Sequence, residues 1–240
     1  MAKVNIIGRG RAGSALSLAH TVAGDQLCAD ANTVIFAVPD DNLEDAVLEY
    51  LAANDCAGKF IVHLSGMHSL EVLGPLSDAK ASTAALHPII QFVNPSDDIE
   101  QLKQCYVSCL ANDEQARQMS FELVAKWQSQ MIDLDRSVDR RQYHLALSLA
   151  SNHVTALMAW AQQLLEPSLG EASLEVVSKM AERAVATAAT IGPMASLTGP
   201  VARGDVKTIA AHLESLDDEQ RQRYSGLLLN LQALVDEHGE

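Results

Sequence analysis

Short apolar runs separated by helix-length amphipathic stretches fill the first part of the chain: VNII (4–7), TVIFAV (33–38), KFIVHL (59–64), STAAL (82–86), QCYVSCL (104–110) and SQMIDL (129–134). Runs of this length, bounded by turn residues and alternating with helical patterns, predict a parallel α/β sheet with helices on its faces. Two of the intervening helices are well marked. DDNLEDAVLEYLAA sets Leu43, Val47, Leu48 and Leu51 on one stripe behind Asp40 or Asp41 as N-cap, and NDEQARQMSFELVAKW does the same with Met119, Leu123 and Trp127. Near residue 137 the period changes and the strand-like runs stop. Apolar residues at three- and four-residue spacing from Tyr143 to Leu165 predict one long helix over 139–165. Further helices are expected at 171–190, 205–216 and 218–237, with Asp205 capping the second of these. The chain thus reads as two domains: 1–136, a Rossmann-like sheet, and 137–240, an all-α helical bundle.

Composition narrows the class. A chain of 240 residues with 48% hydrophobic content can bury a sizeable core, and no apolar run approaches the roughly 18 residues of a membrane helix. With MAK leading straight into VNII, there is no secretory pattern, so a cytoplasmic protein is expected. A formal charge of −14 disfavours nucleic acid and anionic lipid as partners. Cys28, Cys56, Cys105 and Cys109 lack paired metal-ligand spacing and read as reduced thiols, with no metal site.

Gly8-Arg9-Gly10-Arg11-Ala12-Gly13 follows a strand and opens a helix, the context in which GxGxxG is informative. Gly8 permits the turn, Gly10 lets a pyrophosphate approach the backbone, and Gly13 allows close packing of helix on strand. Arg9 and Arg11 add positive charge; a tight turn with no ligand is the bland alternative. A dinucleotide fold places an acidic ribose contact about 20 residues later, where Asp30 stands. Yet a strand at QLCA (26–29) leaves only Asp30 to Asn32 before TVIFAV, far short of a βαβ crossover. The simplest reading joins VNII through one helix to TVIFAV and crops the adenosine side of the sheet.

Ligands of open parallel sheets bind at the carboxyl ends of the strands. Three polar clusters fall there: Val38-Pro39-Asp40, His63-Leu64-Ser65-Gly66 and His87 before Pro88. Each alone has a structural reading, as cap, turn or loop; their shared edge is what raises them. The long helix carries His144, Ser148, Ser151, Asn152 and Thr155 as a polar stripe. Imidazole moves protons near neutral pH and a carboxamide both donates and accepts, so His144 and Asn152 are catalytic candidates. Arg203, in IGPMASLTGPVARGD, can anchor an anionic substrate group or simply end a helix. The helix is apolar over most of its circumference, which points to a homodimer interface or a bundle centre.

IIGRGRAGSAL, FAVPDD, VHLSGMHS, ALHPIIQF, YHLALSLASNHVTAL and ASLTGPVARGDVKTIAAHL, in this order, resemble the Rossmann-like proteins carrying the helical domain of unknown function 2520. That family looks related to ketopantoate, pyrroline-carboxylate and deazaflavin-dependent NADP reductases. The resemblance implies an NADP cofactor, with NAD or no dinucleotide as alternatives, held by Gly8, Arg9, Gly10, Arg11, Gly13, Val38, Pro39 and Asp40. It also implies that AVPDD, HLSG, LHP and the YH…SNH helix line a cleft between the domains. The expected activity is reduction of a small carbonyl or imine substrate, with His144 handling the proton and Asn152, Ser65, His87 and Arg203 holding the substrate. The alternative is a non-catalytic nucleotide- or phosphate-binding protein that keeps the glycine loop and has lost part of the dinucleotide pocket.

Overall fold

The computed structural model describes residues 2–238 and divides into two compact units, one ending at His153 and one beginning at Val154. In the first, β1 (Lys3–Ile7), β2 (Gln26–Leu27), β3 (Thr33–Phe36), β4 (Phe60–His63), β5 (Ser82–Pro88), β6 (Tyr106–Ala111) and β7 (Gln130–Asp133) form one sheet. The strand order is β2-β1-β3-β4-β5-β6-β7. Helices α1 (Arg11–Val22), α2 (Leu43–Ala53), α3 (Gly74–Asp78), α4 (Pro95–Leu102), α5 (Glu114–Lys126) and α6 (Arg140–Ser148) belong to the same unit.

Alternation along the strands decides which helix covers which face. Val34 and Phe36 pack with Leu43, Val47, Tyr50, Leu73 and Leu76, while Ile35 joins Val4, Val62, Leu16, Leu102, Leu123 and Trp127 on the other side. Each such buried side chain contributes roughly 1.5–3 kcal/mol. All six expected strands form, with two differences from the sequence reading. The sheet is not wholly parallel: β6 runs antiparallel to β5, with His87 opposite Ser108. The edge beyond β1 is cropped but not empty. The two-residue β2 pairs with Lys3 and Val4 on one side of β1, and only residues 28–32 carry the chain to β3 on the other side.

The expected N-caps also differ. Asp40 and Asp41 lie in a 3-10 turn ahead of α2, whose N-cap, Asn42, makes no side-chain cap bond. The single long helix is resolved into α6, a π-helical turn at Leu149–His153, and α7 (Val154–Leu169). The unit from Val154 onward continues through α8 (Ser173–Ile191), the short α9 (Pro193–Ser196) and α10 (Pro200–Arg203), α11 (Val206–Glu214) and α12 (Asp218–His238). Asp205 is the N-cap residue of α11, as expected, but it makes no side-chain cap bond, and its carboxylate accepts from Arg203 instead. Among the described residues no helix is long and apolar enough to cross a membrane.

Candidate functional site

The glycine loop is built by close backbone approach. Gly8 has φ +123°, and a Cβ there would lie 2.2 Å from the Ala37 carbonyl oxygen; a Cβ on Gly13 would lie 2.2 Å from the Gly8 carbonyl oxygen. The amide of Ala37 donates to the Ile7 carbonyl at 2.7 Å, so the exit of β3 at Ala37 and Val38 is laid directly against this loop. Gly10 differs, since nothing lies within 4 Å of where its Cβ would be. It is the N-cap of α1, with no side-chain cap, and the first helical bond is Ser14 N–H to the Gly10 carbonyl at 2.9 Å. The amides of Arg11, Ala12 and Gly13 precede that bond and have no helical acceptor. Arg9 and Arg11 are exposed beside them. These residues fit a diphosphate: free donors, positive helix end, and space at the one glycine where an anion must approach.

The β2 side of the loop is thinner. Asp30 is exposed at the end of the β2 segment, and its carboxylate is held in its charged form by the Cys28 thiol and by Lys3 at 3.4 Å.

At the neighbouring strand ends the polar residues have distinct duties. His63 is fully buried and accepts from the Ser65 amide at Nδ1, 3.1 Å, while Nε2 lies 3.1 Å from the Ser69 carbonyl. Burial lowers its pKa to about 3, so it is a neutral turn-former. Ser65 Oγ accepts from the amides of Met67 and His68 at 3.1 and 2.9 Å, which commits the hydroxyl to the same turn. His68 Nε2 in turn contacts the Asp40 carbonyl at 3.1 Å, tying Asp40 to this turn.

His87 is the centre of the cluster. Its Nδ1 lies 2.9 Å from the Tyr143 hydroxyl, which is also 2.9 Å from Ser108 Oγ. Its Nε2 would be 2.9 Å from a Cβ on Gly66, and His144 Cδ2 would be 2.8 Å from the same point. Both imidazoles therefore rest on the bare Cα of Gly66, with ring centroids 6.4 Å apart. Neither His87 Nε2 nor a ring nitrogen of His144 has a hydrogen-bond partner among the described residues. Burial, then the charge of Arg140, then His144 lower the His87 pKa to about 4.

Helix α6 starts at Arg140, which is 4% exposed and donates to the carbonyls of Ser65 (2.7 Å) and His68 (3.2 Å). Its guanidinium lies 4.6 Å from the Tyr143 ring centroid, and its buried Nη1 has no partner among the described residues. One helical turn onward come Tyr143 and His144. The π turn then carries Asn152, whose Oδ1 accepts from Gln91 Nε2 at 3.2 Å. Helix and β5 exit are thus tied at two points.

The structure brings His87 and His144 together on Gly66, next to Ser65, and ties Asp40 to the same turn through His68. Arg203 belongs to the helical unit, where it donates twice to Asp205, at 2.6 and 2.9 Å. Sequence reasoning missed Arg140, the hydrogen-bonding role of Tyr143, and Ser108. Arg140 sits in the charged run DRRQ, which reads as solvated, and only its place directly after the N-cap Asp139 hints otherwise.

The model of the domain of unknown function DUF2520 matches residues 105–230, and a Rossmann-like domain model matches residues 19–88. A Bacteroides fragilis protein provisionally named an NADP oxidoreductase superposes with a TM-score of 0.81 at 16% identity, covering 97% of this chain and 98% of its own. A reductive aminase from Aspergillus terreus, in complex with NADPH and ethyl levulinate, gives 0.70 at 17% identity over 99% of both chains. The pyrroline carboxylate reductase of Plasmodium falciparum, with NADP bound, gives 0.60 at 11% identity over 98% and 96%. At these identities the likeness establishes the fold. No curated protein sequence matches the chain.

Proposed function

The chain belongs to the family of the domain of unknown function DUF2520, and from that premise we propose that it is an NAD(P)-dependent oxidoreductase of a small carbonyl or imine compound. One observation carries the reading: a helix end without a side-chain cap, open at Gly10, shares a sheet edge with two imidazoles whose His87 Nε2 and His144 ring nitrogens have no hydrogen-bond partner among the described residues. Gly8, Gly10, Gly13, Arg9 and Arg11 hold the diphosphate, and Val38, Pro39 and Asp40 flank it. NADP is the preferred cofactor, in line with the ligands of the structural neighbours. Bound nicotinamide supplies the hydride. The substrate carbon would receive that hydride, leaving the nicotinamide oxidised, while His144 would pass a proton to the carbonyl or imine heteroatom as the charge builds there. Asn152, held through Oδ1, keeps its –NH2 to orient substrate, and His87 contributes a second polar contact. Ser65 positions the turn beneath them, and Arg203 is kept as an anchor for an anionic group only where Asp205 releases it.

The test is kinetic. His144→Ala is expected to lower kcat by about 10²–10⁴-fold while NADPH affinity stays within twofold or so; unchanged turnover removes the proton role.

A second reading, a non-catalytic nucleotide-binding protein, draws on the two-residue β2 and on Asp30 being engaged by Lys3. It expects nucleotide binding with no turnover of any carbonyl or imine.

We also propose a homodimer in the cytoplasm, consistent with four free thiols. Within the helical unit only Ser173, Val177, Val201 and Leu216 are buried among the described residues. Leu157, Leu164, Met180 and Val185 are 43, 49, 65 and 61% exposed. Helices this apolar require cover, which a second copy provides.

A further inference from the structure

Resting on the reading above, we infer that His87 presents a neutral Nε2–H whose tautomer Tyr143 sets, so that the site takes a carbonyl or carboxylate oxygen and turns away iminium and ammonium cations.

Three observations carry this. First, the phenol of Tyr143 has two neighbours at 2.9 Å, an imidazole nitrogen and a serine hydroxyl, and one proton to give. The imidazole nitrogen is the more basic acceptor, and the guanidinium 4.6 Å from the ring sharpens the phenol as a donor. Tyr143 is placed to donate to Ser108 Oγ, but a hydroxyl pair reverses at the same distance; the inferred arrangement gives the phenol proton to the more basic Nδ1, lets Ser108 donate to the phenol oxygen, and leaves the ring proton of neutral His87 on Nε2. Second, that Nε2 faces Gly66 and His144 and has no acceptor among the described residues. Third, Arg140 is buried and, among the described residues, hydrogen-bonds only carbonyls and leaves Nη1 without a partner. Asp40 acts on it through space without forming an ion pair. A buried guanidinium without a counter-ion is unfavourable unless another group supplies negative charge.

The groups facing His87 are Arg140, His144, Tyr143 and Asp40. Burial first, and then the fixed positive charge of Arg140, keep the ring neutral to about pH 4. A neutral imidazole N–H beside a fixed cation polarises a carbonyl and stabilises the negative charge that grows on its oxygen. An iminium nitrogen offers no lone pair to that donor and meets the guanidinium as a like charge. Tyr143 acts here as a positioning residue; His87 is the group that touches substrate.

The experiment uses the full chain labelled with 15N-histidine, with His87 assigned from the H87Q spectrum, and is run with and without NADP. Wild type is expected in the Nε2–H form at pH 7. Y143F is expected to lose that preference, and S108A, which removes only the hydroxyl behind the phenol, to keep it. Cyclopentanone and cyclopentanecarboxylate should shift the His87 resonances, with pyrrolidinium at least about tenfold weaker. An Nδ1–H tautomer in wild type, loss of the Nε2–H form in S108A, or binding of pyrrolidinium as tight as the acceptors overturns the inference. So does binding of none of the three. Because tautomer and binding are read without turnover, a chain that ignores NADPH yet passes these arms sinks the oxidoreductase reading alone.

Discussion

Gly66 lies where a single methyl group would meet two imidazoles, 2.8 Å from His144 and 2.9 Å from His87. Gly66→Ala is therefore expected to fold with a loss of about 1–3 kcal/mol, measured by urea denaturation, and to disturb both rings at once. The buried histidines make stability depend on pH in a definite direction. His20, His63 and His87 all have pKa values lowered below 6.5 by burial, His87 to about 4 and His63 to about 3. Above 6.5 they are neutral in folded and unfolded chains alike. Below it the unfolded chain binds protons that the folded chain refuses, so stability is full above about 6.5 and falls toward pH 4, by up to about 1.4 kcal/mol per pH unit for each ring. Denaturation at pH 7 and pH 5 checks this, and H87Q should show the shallower decline. His87 and His144 were legible as site candidates because they stand in polar clusters at strand ends or on a helix stripe. Arg140 and Tyr143 were not, because a charged run and an apolar stripe look the same whether or not they reach a neighbouring turn.

The glycine loop separates structural from functional glycines at the scale of the element. Gly8→Ala combines φ +123° with a 2.2 Å collision against Ala37 and should lower stability by about 3 kcal/mol or more. Gly10→Ala enters open space and should change it by less than about 1 kcal/mol. Thermal melts of the two variants side by side read this difference. Strand positions were legible because buried valine and isoleucine mark them; strand direction was not, since an antiparallel β6 has the same apolar run as a parallel one. The sequence offers a strand at 26–29 but no crossover after it; two of its residues do pair with β1, and residues 28–32 suffice to reach β3. The π turn at Leu149–His153 adds one residue to a helix whose apolar spacing hardly changes, so the sequence shows an unbroken rod there.

For the whole molecule, the helical unit's exposed apolar residues set an expectation about assembly. Light scattering should give twice the 25.8 kDa of one chain across micromolar concentrations, and Met180→Glu, placed on a side chain 65% exposed, should shift the mass toward one chain without loss of helicity. The proposed function requires that an anionic ligand dock at Gly10. Calorimetric titration of NADPH into wild type and Gly10→Ala tests this most directly. Saturable binding of one molecule per chain, weakened at least about tenfold by the added methyl, is the expected result; no heat for wild type with NADPH or NADH at millimolar concentration, or equal affinity in both proteins, contradicts it.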